Sequence, residues 1–192
     1  MKILVAYSSK TGNTKKLAGG IYSIIKKDMT EHEVKFANMK NVKNTAEYDV
    51  ILAGYWVDKG SPNKEATKFL STITGKRIGI FATLGAYPDS KHGADSLVRG
   101  EDLVKDNNEI IGKFICQGAV NPKFLELFRS ITETPDASEK GVKAILKGKL
   151  ADTEFVKNHA MTPERIKMYQ IAETHPNNLD IKFAANLFKE RI

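Results

Sequence analysis

The stretch Lys2-Ile3-Leu4-Val5-Ala6-Tyr7-Ser8-Ser9-Lys10-Thr11-Gly12-Asn13-Thr14 decides the fold. Its first half is a nearly continuous apolar run, as expected of a strand covered on both faces. Its second half is polar and leads straight into an amphipathic pattern, with Leu17, Ile21, Ile24 and Ile25 at i, i+4, i+7 and i+8. The reading is a strand, a tight turn at Gly12 and a helix. Backbone N–H groups in such a turn have no helical acceptor, and the positive end of the helix dipole points the same way, so the turn suits an anion. Ser9, Thr11 and Thr14 add hydroxyls, and Asn13 adds an amide. A ring of neutral donors suits a phosphate monoester held in detail.

Four further apolar runs read as strands: Glu33–Ala37, Asp49–Gly54, Arg77–Thr83 and Ile110–Gln117. Between them lie helical patterns. Ala66, Phe69, Leu70 and Ile73 follow Ser61 as the expected N-cap and Pro62 as the first helical residue. A weaker pattern spans Gly93–Asp106. Alternating strands and helices imply a parallel sheet with right-handed crossovers and helices on both faces. Past the fifth strand, Asn121-Pro122 opens a pattern carrying Phe124, Leu125, Leu127, Phe128 and Ile131. A polar stretch and a short helical pattern at Val142, Ile145 and Leu146 follow. Thr162-Pro163-Glu164 starts a helix that His175-Pro176 stops. A last helix carries Ile181, Ala184, Ala185 and Phe188 on one face. The expectation is one domain over 1–192, with an insertion at about 118–176 before the last helix. The insertion begins at the carboxyl edge of the sheet and is expected to flank the ligand site.

The run Ser9-Lys10-Thr11-Gly12-Asn13-Thr14 fills every position of the FMN-phosphate loop of flavodoxins, in the right place after the first strand. The chain therefore resembles the flavodoxin-like family over residues 1–117 and the last helix. That resemblance implies a doubly wound five-stranded parallel sheet in the order 2-1-3-4-5, and bound FMN. It also implies two loops against the flavin ring, from the ends of the third and fourth strands. The residues in those places are Tyr55, Trp56 and Val57, then Thr83, Leu84, Gly85, Ala86, Tyr87 and Pro88. Trp56, the sole tryptophan, and Tyr87 are the expected stacking partners. Gly60 and Gly85 would let backbone amides approach the ring edge.

The phosphate loop of nucleoside triphosphatases, Gly-Lys-Ser/Thr, is absent, and no Gly-x-Gly-x-x-Gly run points to a nicotinamide site. His32 reads as exposed, His92 as a solvated loop residue, and His159 and His175 as structural. Cys116 reads as a core residue, and as the lone cysteine it excludes an internal disulfide. No run is long and apolar enough to span a bilayer, and the short apolar stretch at the N-terminus is no signal peptide. The cytoplasm is the expected compartment.

The net charge is +7, and residues 1–27 carry six lysines and no acid. No nucleic-acid motif accompanies this charge. It suits a field around an anion, or a face for an acidic protein partner. Flavodoxins are typically acidic, so a basic chain with Lys59 in a ring loop departs from the family habit. A cation near the ring stabilises the anionic reduced form and raises the potential. The expected function is electron transfer by FMN to a protein redox partner. Two alternatives stay open within redox chemistry: an FMN-dependent NAD(P)H or quinone oxidoreductase of the same fold, and a module serving one dedicated reductase. A third, a relative that has lost FMN and only binds a partner, sits poorly with a complete phosphate loop.

Overall fold

The structure is a computed structural model and describes residues 1–123, 125–126 and 161–192. Five strands follow the apolar runs: β1 (Lys2–Tyr7), β2 (Glu33–Asn38), β3 (Val50–Asp58), β5 (Arg77–Leu84) and β6 (Glu109–Gln117). They pair in parallel in the order β2-β1-β3-β5-β6. A two-residue strand, β4 (Ser61–Pro62), folds back antiparallel on the end of β3. Without this added strand, the order is the expected 2-1-3-4-5.

Strand alternation sorts the core into two layers. Ile3, Val5, Leu52 and Phe81 face one side and pack with Leu17, Ile21 and Ile25 of α1 (Asn13–Asp28). Ala184, Ala185 and Phe188 join that layer from the last helix (Asn178–Lys189). Leu4, Ala6, Ile51, Ala53, Ile78 and Ile80 face the other side. There they meet Ala66, Phe69 and Leu70 of α2 (Lys64–Leu70), next to α3 (Lys91–Glu101). Both faces of the sheet are thus covered. Another helix, α4 (Pro163–Ala172), starts where expected, with Thr162 Oγ1 accepting from the Arg165 N–H at 3.3 Å. The last helix, α5, carries a capping box between Asn177 and Asp180.

Three expectations need correction. Pro62 does not begin a helix: Ser61 and Pro62 pair with Asp58 and Val57, and α2 begins at Lys64 behind Asn63. Lys59 and Gly60, both at positive φ (51° and 79°), make the two-residue turn between β3 and β4. That is the geometry of a tight hairpin, which accounts for a glycine at its second position. Second, β3 runs on to Asp58, so Tyr55, Trp56 and Val57 are strand residues rather than loop residues. Third, His32 is largely covered, its side chain 13% exposed, and its Nδ1 is buried without a hydrogen-bond partner. The expected helix residues Phe124, Leu127, Phe128 and Ile131, the pattern at Val142, Ile145 and Leu146, and His159 lie outside the described residues. Among the described residues, no helix is long and apolar enough to cross a membrane.

Candidate functional site

The carboxyl ends of β1, β3 and β5 converge where the hydroxyl-rich turn opens α1. Gly12 is the N-cap at φ 100°, a left-handed conformation that costs a glycine nothing and most residues something. No side chain caps the first turn, and that turn carries no acid. The amides of Asn13, Thr14 and Lys15 therefore face an uncompensated helix end. The loop is braced from within. Gly12 N–H donates to Ser9 Oγ at 3.1 Å, and Asn13 Nδ2 donates to Thr11 Oγ1 at 3.2 Å. Asn13 Nδ2 also reaches the Ala119 carbonyl at 2.8 Å, tying the loop to the segment after β6. An open cleft of about 310 Å³ lies between them, lined by Lys10, Thr11, Asn13 and residues 119–122.

Thr14 sits differently from Thr11. Its hydroxyl is buried and shares a 2.9 Å hydrogen bond with Thr83 Oγ1, at the end of β5. Two hydroxyl hydrogens serve one mutual bond, so the pair keeps one hydrogen for another acceptor. Below the loop, Ser8 is buried and its Oγ accepts from Asn63 Nδ2 at 2.8 Å. Asn63 Oδ1 is a buried acceptor with no partner.

The two ring segments divide by strand alternation. Trp56 lies on the α1 side of β3, aligned with Thr83 of β5, and is half-buried. Lys10 Nζ stands 5.2 Å from its ring centroid. Tyr55 and Val57 point to the other side. Tyr55 is fully buried, its hydroxyl donates to the Ser96 carbonyl at 3.0 Å, and burial raises its pKa. Only the backbone of these two residues is therefore left to meet a ring at the α1 side. Leu84 is buried as well. Ala86 and Pro88 are half-buried and Tyr87 is 39% exposed, just ahead of Ser90, which caps α3. Gly85 lies so close to Val120 that an added Cβ would stand 2.7 Å from Val120 Cγ2.

The structure thus gathers Ser9, Lys10, Thr11, Gly12, Asn13, Thr14, Trp56 and Thr83 around one helix end. It adds residues that sequence reasoning missed. Ser8 was given no role, and Asn63 fell in the expected first turn of a helix. Arg99 was not singled out, yet its Nη1 donates to the Gly60 carbonyl at 2.6 Å and pins the tip of the β3–β4 turn. Residues 119–122 open the insertion expected to flank the ligand site, and they line the cleft beside the loop.

Among known proteins, a model of the flavodoxin domain matches residues 4–145. The chain belongs to the flavodoxin family. It is 32% identical, over 197 aligned residues, to the flavodoxin-like domain-containing protein BilS of Clostridioides difficile strain CD3, covering 100% of this chain and 96% of that one. A second flavodoxin-like BilS, from Clostridium symbiosum strain WAL-14163, is 25% identical over 146 residues, covering 69% of this chain and 76% of that one. The fold also matches the crystal structure of oxidised flavodoxin 1 from Bacillus cereus, with a TM-score of 0.50 at 16% identity, over 66% of this chain and 91% of that one. The flavodoxin frame thus accounts for about two thirds of the chain, and the C. difficile relative shares the rest.

The residues of this flavodoxin-like chain fit a flavin mononucleotide. The uncapped end of α1 would offer amides, and Thr11 and Ser9 hydroxyls, to a phosphate. Trp56 supplies an aromatic surface on the same side of the sheet. The unpartnered Asn63 Oδ1 and the spare hydroxyl hydrogen of the Thr14–Thr83 pair add polar capacity beside them.

Proposed function

We propose that this protein holds one FMN non-covalently and passes electrons between redox partners. The observation that carries the reading is the uncapped first turn of α1 behind Gly12, with hydroxyl side chains around it and Trp56 on the same side of the sheet. Bound FMN supplies reversible acceptance and release of electrons; the chain supplies position and electrostatics. Ser9, Thr11 and the amides of Asn13 and Thr14 bind the phosphate. Trp56 and Tyr87 stack on the ring, each worth on the order of 0.5–1.5 kcal/mol beyond burial. Gly60 and Gly85 bring backbone close to the ring edge. Lys59, exposed at the hairpin tip, places a cation beside the ring and favours the anionic reduced form, which raises the potential.

The redox partner is an acidic protein. Lys10, Lys15 and Lys16 are exposed at the flavin edge, as are Lys59 and Lys64. A positive rim steers a negative partner toward the ring and shortens the search for the productive orientation. The similarity to the flavodoxin-like domain-containing protein BilS over the whole chain supports the flavin site on which this reading rests.

The test begins with the visible spectrum of the purified protein, followed by NAD(P)H oxidation with and without a quinone. A flavin spectrum with no turnover is the expected result. Turnover of NAD(P)H with quinone, and no other protein present, would replace the carrier by an oxidoreductase. A protein that neither carries nor takes up flavin would overturn the reading.

A further inference from the structure

Lys10 belongs to the phosphate loop, yet its ammonium lies over the indole of Trp56, 5.2 Å from the ring centroid. Trp56 is half-buried and Lys10 is exposed, so the ammonium and the indole meet where solvent reaches them. The same lysine borders the cleft beside Thr11 and Asn13. Among the described residues it makes no ion pair, and the first 27 residues offer it no acid. One cation thus has two places to go: the indole face and the anion seat.

We infer that Lys10 makes the site selective for the phosphorylated flavin, by leaving the indole face to the ring and pairing with the phosphate. The inference rests on the flavin reading above and adds to it a residue that discriminates between flavins. The indole face attracts the ammonium through its ring quadrupole. A planar flavin ring stacks on that same face, and the two cannot occupy it together. Riboflavin must therefore displace the ammonium and offers it nothing in return. FMN displaces it too, but brings an anion within the same loop. Lys10 weakens the wrong ligand and strengthens the right one, so its single charge acts on the ratio from both ends.

This predicts opposite signs for two ligands. Flavin-free protein is titrated with FMN and with riboflavin, for the wild type, Lys10→Met and Lys10→Arg. In Lys10→Met, FMN binding weakens about tenfold through loss of a charged contact. Riboflavin binding tightens about two- to fivefold, because nothing competes for the indole. Lys10→Arg keeps the wild-type order. Added salt narrows the preference for FMN more steeply in the wild type than in Lys10→Met. Equal losses for both ligands in Lys10→Met, or no change in either, would overturn the inference while leaving the flavin reading intact. A wild type that binds neither flavin would overturn that reading, and the inference with it.

Discussion

At the residue scale, the two threonines of the anion loop have different duties. Thr11 is exposed and, among the described residues, bonded only to Asn13, whereas Thr14 is buried against Thr83. Thr11→Val should cost FMN affinity alone, about ten- to a hundredfold for a lost bond to a charged group, with unchanged unfolding. Thr14→Val strands the Thr83 hydroxyl in the core and should also lower stability by about 1–3 kcal/mol. Chemical denaturation beside flavin titration separates the two. Tyr55 and Trp56 give a similar contrast. Tyr55→Phe removes a buried hydrogen bond to the Ser96 carbonyl, which keeps its place in α3, and should cost about 0.5–1.5 kcal/mol of stability while flavin binding holds. Trp56→Ala should weaken flavin binding and restore the flavin fluorescence that a stacked indole quenches. The loop Ser9–Thr14 was legible in the sequence because its residue types state their chemistry directly. The inward turn of Tyr55 was not, since a strand that outruns its apolar pattern hides which face each residue takes.

At the element scale, α5 closes the α1 side of the sheet through Ala184, Ala185 and Phe188. Phe188 packs against Phe81, with ring centroids 6.2 Å apart. Phe188→Ala should cost about 3–5 kcal/mol, read as a shift in the denaturation midpoint. Asp28 at the end of α1 accepts from Lys189 of α5 at 2.6 Å, and that hydrogen bond holds the Asp28 carboxyl below its ordinary range. A lowered pKa means the support is present above about pH 4 and fades as acid titrates the carboxylate. Asp28→Asn should therefore be less stable than the wild type near neutrality, and the difference should vanish in acid. The helices of this layer were readable from their periodicity. The β3–β4 hairpin was not, because Ser61-Pro62 also has the composition of a helix start, and only the pairing of Pro62 with Val57 decides between them.

At the scale of the whole molecule, charge is arranged about the sheet. The carboxyl edge, which holds the site, carries Lys10, Lys15, Lys16, Lys59 and Lys64 against Asp58, Glu65 and Asp89. At the opposite edge Glu33 and Glu47 stand by Lys2, and Glu109 by Arg77. A protein so polarised should reduce an acidic acceptor at a rate that falls as ionic strength rises, while a neutral small acceptor shows little salt dependence. Stopped-flow reoxidation with both acceptors checks this, and a rate that rises with salt for the acidic acceptor would argue against the positive rim. The central claim is that the turn before α1 seats the phosphate of a flavin nucleotide. It is tested most directly by titrating flavin-free wild-type protein with FMN and with riboflavin under one set of conditions. FMN is predicted to bind at least about tenfold tighter, the effect of losing a charged partner for the loop. Equal affinity for the two would contradict the claim.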